Sequence, residues 1–277
     1  MLNEAVKLDA LAGFLARNRH VLVLSGAGIS TASGIPDYRD KEGVRRGKMP
    51  VQGPEFRKFE AVRKRYWARS MVGWPTLAQA APNAAHRAIA GLEVAGKLDA
   101  ILTQNVDGLH QRAGSARVLE LHGSIHAVVC LDCHAQFPRA FVQGMLEQAN
   151  PAMRNASARA LPDGDAQLEP DALADFHIPH CVCCAGTLKP DVVFFGDGVP
   201  RPCADAAMAM MARADALLVV GSSLMVYSGF RFCRMAAETG KPIAAINLGK
   251  TRADHLLSLK IEGAAEQILP NLLSRMN

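Results

Sequence analysis

The chain has 277 residues, a length that fits one large domain or a large and a small one. Hydrophobic residues make up 49% and charged residues 21%, an ordinary balance for a globule with a sizeable core, and no apolar run approaches the roughly 18–20 residues that span a bilayer. The net charge of +5 is a mild bias that marks neither a nucleic-acid binder nor a membrane surface.

In chain order, the opening "MLNEAVKLDALAGFLARN" carries acids, spaces Leu8, Leu11 and Leu15 as a helix does, and has no signal-peptide cleavage site. It leads almost at once into the next element, leaving no room for a removable leader, so a bacterial cytoplasmic protein is expected. The run "VLVLSGAG" (21–28) reads as a buried strand ending in a glycine turn, with Gly26 and Gly28 at G-x-G spacing. The third glycine of a dinucleotide fingerprint would stand where the chain has Thr31. The turn instead continues as a polar loop through Gly34, Pro36, Asp37, Tyr38 and Arg39.

Residues 45–80 have no strand signal and read as a helical insert. Within them "RKFEAVRKRYWAR" (57–69) sets six Lys or Arg against Glu60 and reads as a solvated helix face. Only Tyr66 and Trp67 offer stacking, so nucleic acid is not an expected partner. A helix is expected over 84–95, ending at Gly96, followed by strands in "DAILTQN" (99–105) and "RVLELHG" (117–123). Further strands are expected in "ALLVVGSS" (216–223) and "PIAAINLG" (242–249). Helices are expected over 203–213 and 264–273, the latter with Ala264, Ile268 and Leu272 on one face.

Strands alternating with helices imply an α/β fold, a doubly wound parallel Rossmann-like sheet whose ligands sit at the carboxyl ends of the strands. Those ends hold the most polar signals: Gly26, Gly28, Gln104, Asn105, Asp107, His122, Gly221, Ser222, Ser223 and Asn247. The expected division assigns 1–44, 81–123 and 189–277 to the sheet. The insert 45–80 and residues 124–188 form a smaller domain.

Seven cysteines are an odd number, against a secreted disulfide framework. Cys130 and Cys133 form one C-x-x-C, and Cys181 and Cys184 a second, which together complete a tetrahedral four-thiolate zinc shell. Such a shell leaves no open position, so the zinc is structural. Cys183 lies inside the second pair and competes as a ligand by spacing alone. Cys203 and Cys233 fall in apolar helical contexts and are expected in the core. His122, at a strand mouth beside a glycine, is a candidate general base, whereas His86 and His126 are expected to be structural.

The ordered set "GAGISTASGIPDYR", "TQNVDGLH", "LELHG", the two C-x-x-C pairs, "VVFFGD", "GSSL" and "INLG" resembles the sirtuins, the NAD-dependent protein-lysine deacylases, from about residue 20 to the C-terminus. The resemblance implies that the glycine turn takes the pyrophosphate and that the loop carrying Asp37, Tyr38 and Arg39 folds over the nicotinamide ribose. It places Gly26, Ala27, Gly28, Ser30, Gln104, Asn105, Asp107, Gly221, Ser222, Ser223, Asn247 and Ala264 at NAD-contacting positions. Catalysis would occur near Ile35, Asn105 and Asp107: the acyl oxygen attacks the ribose carbon as nicotinamide leaves. His122 then acts as base on a ribose hydroxyl, and acyl-ADP-ribose is the product. Val193, Phe194, Phe195 and Gly196 resemble the edge that pairs with the substrate backbone, the partner being an acylated lysine.

"RYWARS" followed by "VGWP" resembles the class II branch, associated with weak deacetylation, larger acyl groups and ADP-ribosyl transfer. Tyr66 and Arg69 share a helix face and are placed to read an acyl carboxylate, as the Tyr-x-x-Arg pair of the desuccinylase branch does. An NAD-dependent protein ADP-ribosyltransferase on the same residues is the nearest alternative. More distant are a zinc-supported nucleic-acid binder and a non-catalytic module. A hydride-transferring dehydrogenase is disfavoured by Thr31 and by Arg45 and Arg46, which stand where its acid belongs.

Overall fold

The computed structural model describes residues 4–46, 49–154, 156, 160–161, 165–166 and 175–276. The loop-like stretch 161–179 falls largely outside these, with 162–164 and 167–174 not described.

Among the described residues six strands form one parallel sheet: β1 (Val21–Ser25), β2 (Ala100–Thr103), β3 (Val118–Glu120), β9 (Ala216–Val220), β10 (Ile243–Asn247) and β11 (Leu259–Glu262). Their order is β11-β10-β9-β1-β2-β3, so the chain winds one way through β2 and β3 and the other way through β10 and β11. The reversal lies between β1 and β9, where a doubly wound sheet opens a crevice at its carboxyl edge. All five residues of β1, β9 and β10 are buried, which accounts for their uninterrupted apolar runs.

Alternate side chains enter opposite layers. Val21 and Val23 join one core with α1 (Glu4–Arg17), α4 (Ala84–Val94) and α9 (Ala265–Met276). Leu22 and Leu24 join the other, with α7 (Arg201–Arg213) and α8 (Tyr227–Glu238). Asn83 caps α4, accepting from the amides of Ala85 and His86, while its Nδ2 donates to the Ile29 carbonyl at 2.7 Å. A helix cap thereby ties α4 to the glycine turn.

A second sheet is antiparallel: β5 (Gln136–Pro138), β4 (Gly123–Cys130) and β8 (Leu188–Val192). It shares a core with α2 (Gly53–Lys58), α3 (Glu60–Gln79) and α6 (Arg139–Ala149), through Phe56, Trp67, Met71, Val128, Val142, Leu146 and Leu188. A two-stranded pair, β6 (Ala160–Leu161) and β7 (Asp165–Ala166), completes the strands. Arg139 is fully buried, with Nη2 donating to the carbonyl and hydroxyl of Ser70 and its guanidinium over the rings of Trp67 and Trp74. Burial lowers its pKa to about 10.

The basic block 57–69 is not the continuous solvated face expected. It breaks at Phe59 between α2 and α3, and Tyr66, Trp67 and Ala68 are buried. Arg63 turns back to donate to the carbonyls of Phe56 and Arg57, and Arg57 pairs with Asp197. Cys233 is buried as expected, but Cys203 is only partly so, its thiol near the Glu120 carbonyl. Among the described residues no helix is long and apolar enough to cross a membrane.

Candidate active site

The glycine turn lies against the end of β9. The Gly26 amide donates to the Val220 carbonyl, and the Gly28 amide to the Gly221 carbonyl at 2.8 Å. Gly221 has φ +59°, and a Cβ there would stand 2.3 Å from the Ile29 amide nitrogen. Any side chain at 221 would push the turn away. Beyond Gly28 the chain forms two single 3₁₀ turns, Ala27–Ile29 and Thr31–Ser33, in place of the long helix of a dinucleotide fold. Thr31, at the missing glycine, bonds back to the Gly28 carbonyl. The broken fingerprint therefore has a structural counterpart: the loop stays open enough to cross the cleft.

The polar residues after β2 form one network beneath that loop. Ser30, fully buried, donates to Asp107 Oδ2 at 2.7 Å and accepts from Asn105 Nδ2 at 3.1 Å. Asp107 Oδ1 accepts from the Leu109 amide, so both carboxylate oxygens are held. Gln104 reaches Ser222 Oγ at 2.9 Å and links the ends of β2 and β9. Behind these lie three residues that the sequence reading did not select: Ser25 Oγ bonds Thr103 Oγ1 and His110 Nε2, both at 2.8 Å. His110 and His86 face each other across 5.0 Å, and burial lowers their pKa values to about 3 and about 4. His126 Nε2 bonds the Asp107 carbonyl. The signal for His110 was present, three residues after Asp107 inside "TQNVDGLH", but a histidine on a short helix, Leu109–Arg112, looks like any other.

His122 stands between β3 and β4, one residue, Leu121, beyond the end of β3. Its Nδ1 lies 2.8 Å from the Gln104 carbonyl, which only accepts, so the proton is on Nδ1. Nε2 therefore presents a lone pair, and the Ser228 hydroxyl, 2.8 Å away, donates to it. Burial lowers the His122 pKa, the Gln104 carbonyl opposes this and the Arg231 charge reinforces it. The ring stays neutral at neutral pH, the state a base needs.

The loop over the cleft is pinned by Arg46 to Asp37 at 2.8 Å, by an antiparallel backbone β-bridge between residues Arg39 and Arg45, and by Arg39 Nη1 on the Gly43 carbonyl. Burial, helped by Arg45, lowers the Arg39 pKa. Tyr38 meets Phe195 edge-on at 6.5 Å.

The structure brings the selected residues around one cleft of about 1790 Å³: Gly26, Ala27, Gly28, Ser30, Ile35, Asp37, Tyr38, Arg39, Gln104, Asn105, Asp107, His122, Gly221, Ser222, Ser223, Asn247 and the segment Val193–Gly196 line it, as do Tyr66 and Arg69. Ala264 does not; it precedes α9 outside the lining. Two further placements limit expectations. Tyr66 packs among Phe56, Trp67 and Phe194, a core position and not an open face. The Phe195 carbonyl already accepts from the Gly53 amide, so part of the Val193–Gly196 edge is paired.

Away from the cleft, the Sγ atoms of Cys130, Cys133, Cys181 and Cys184 lie within 4.8 Å of one another. The two turns match: His134 and Ala185 each have φ near +60° and each returns an amide bond to the first cysteine's carbonyl. Cys183 is outside the cluster, its amide directed at Cys181 Sγ. Four thiols converging from two such turns, with no fifth donor among the described residues, fit one structural zinc.

A family model described as "Sir2 family" matches residues 26–228. A protein named NAD-dependent protein deacetylase from Xanthomonas campestris is 53% identical over 94% of this chain and 89% of its own, and one of the same name from Bordetella bronchiseptica is 52% identical over 96% and 97%. A solved Sir2 complex with a p53 peptide and NAD+ superposes with TM-score 0.75 at 30% identity, covering 97% of this chain and 98% of the other. A Sir2 bound to acetylated peptide gives 0.76 at 28%, over 98% and 100%. With the cleft, the broken glycine loop and the cysteine cluster in place, these matches show that the chain belongs to the Sir2 family, the sirtuins.

Proposed function

We propose that the chain is an NAD-dependent protein-lysine deacylase that transfers the acyl group to ADP-ribose and releases nicotinamide. The observation that carries this reading is His122: a neutral imidazole at the cleft wall, its Nδ1 proton spent on a carbonyl and its Nε2 lone pair facing the space where a hydroxyl would lie. The deacetylase names of the relatives support it.

Bound NAD supplies an electrophilic ribose carbon with nicotinamide as leaving group. The chain's residues do the rest. Asn105 and Asp107, joined through the Ser30 hydroxyl, orient the ribose and the carboxamide of nicotinamide. The Asp37–Arg46 loop excludes water above it. His122 takes a hydroxyl proton at Nε2, and the Ser228 hydroxyl gives way. The acyl-lysine lies along the part of Val193–Gly196 left open by Gly53. The inserts 45–80 and 124–188 act as one smaller unit, braced by the zinc.

The preferred acyl groups are larger or more acidic than acetyl: the cleft is roomy and its lining holds Arg39, Arg45, Arg46, Arg65, Arg69 and Arg231. The test is mass spectrometry of the protein with NAD and peptides bearing acetyl, succinyl, glutaryl, lipoyl or long-chain acyl-lysine. The expected product is acyl-ADP-ribose, lost by about 10²-fold or more in His122→Ala while the fold is retained. ADP-ribose on protein, with no acyl-ADP-ribose, would instead establish the transferase.

A further inference from the structure

Helix α8 presents Ser228 and Arg231, three residues apart, on one face. Ser228 touches His122, so this face belongs to the base's side of the cleft, and Arg231 lines it. Among the described residues two of its nitrogens, Nε and Nη2, are buried with no hydrogen-bond partner, although its guanidinium lies over the Phe232 ring at 4.9 Å. Buried N–H donors of a charged group that stay unspent are costly until an acceptor meets them, and an anion meets two of them best. Three other arginines of the cleft are engaged: Arg39 on the Gly43 carbonyl, Arg45 over the Phe195 ring and Arg46 on Asp37. Four of the cleft's acids are spent elsewhere, since Asp37, Asp40, Asp107 and Asp197 are bonded to Arg46, to loop amides, to Ser30 and to Arg57 respectively, and the fifth, Glu55, is exposed in the first turn of α2.

We propose that Arg231 is a specificity-determining residue that receives the terminal carboxylate of an acidic acyl group on the substrate lysine. This rests on the deacylase reading and names which acyl class the site takes. Phosphates belong at the glycine turn, beside Gly26, Gly28 and Ser222. Near His122 the reacting groups are neutral hydroxyls and the acyl chain, so an anion that reaches Arg231 there arrives on the acyl chain. A planar guanidinium with two adjacent free N–H groups matches a carboxylate in bidentate fashion. Tyr66 and Arg69, the pair selected from the sequence, lie on α3, and the Tyr66 ring is committed to its aromatic cluster.

The experiment compares kcat/KM for one peptide whose lysine carries glutaryl, the isosteric glutaryl amide, or butyryl. The native chain is expected to favour glutaryl over its amide by about tenfold or more. In Arg231→Gln that ratio falls to about one, and Arg231→Lys, which keeps a charge without the fork, gives an intermediate ratio. Because the readout is a ratio, a general loss of stability does not mimic it. An unchanged ratio in Arg231→Gln, no preference in the native chain, or a rise in the KM for NAD common to all three peptides would overturn the proposal. If butyryl-lysine is processed without charge preference, only the Arg231 assignment fails. If none of the three yields acyl-ADP-ribose, the deacylase reading fails with it.

Discussion

The two sheets of this molecule hold their shape by different means. In the parallel sheet, β1, β9 and β10 are wholly buried and hydrogen-bonded on both sides, and even the glycine turn is fixed by backbone bonds to Val220 and Gly221. The antiparallel sheet has only three strands, places Cys130 and Cys181 within its core, and gathers four thiols at one end. The first is stabilised by what it buries; the second requires a cation to compensate four converging thiolates. His122 sits at the junction, one residue after Leu121 of the parallel side and one before Gly123, where β4 begins. His122, the proposed base, therefore depends on both modes of stabilisation.

Removing the metal is the strongest test of that contrast. Structural zinc contributes about 10–16 kcal/mol in small zinc domains, so chelation or Cys181→Ser should unfold the antiparallel sheet and abolish activity. Zinc content, protease cleavage within 131–187 and turnover measure this together. A metal-free chain with native melting and rate would show that the two regions are braced alike.

A smaller effect is expected on the parallel side. In Gly221→Ala the new Cβ meets the Ile29 amide at positive φ, which should cost about 1–3 kcal/mol and raise the KM for NAD. Thermal denaturation and NAD titration check it; full retention of both would mean that the turn is free to move.

The mildest test concerns acid. His110 and His86 are buried neutral, with pKa values near 3 and 4 against about 6.5 in the unfolded chain. Between those values the unfolded chain binds more protons, so stability is full above about pH 6.5 and falls as pH drops. The slope is about 1.4 kcal/mol per pH unit for each histidine. His110→Gln should make the slope shallower, as read from denaturant midpoints between pH 7 and 5; an unaltered slope would place the acid sensitivity elsewhere.

The parallel side was legible in the sequence because burial on both faces writes itself as unbroken apolar runs, five of which became strands. The sixth, β11, escaped notice: "LKIE" is an edge strand in which only Ile261 is buried. Strand β4 was hidden because one of its faces carries Ser124 and His126, and β8 because Pro190 interrupts it. Helix α8 has Gly229 in its first turn, which weakens a propensity reading. Ser228 and Arg231 were missed for the same reason, since they belong to no motif and meet His122 only through the fold. The cysteine cluster was readable from spacing. Cys184 was chosen from that spacing, and the matched left-handed turns at His134 and Ala185 show why Cys183, left as a competitor, stays outside.

The pairing of β4 with β8 sets Gly123 opposite Val192 and Cys130 opposite Leu188. The chain thus leaves the parallel sheet and comes back to it through two adjacent strands, and everything between is a closed excursion. Lengthening such an excursion costs only about 0.6 kcal/mol for each doubling. For a protein engineer the insertion port is the part of this excursion outside β5 and α6, which lie between the two cysteine pairs and give Val142, Leu146 and the buried Arg139 to the core. A loop of another length, or a foreign domain with neighbouring termini, can be grafted there without changing the separation of the metal-binding turns or the position of the base.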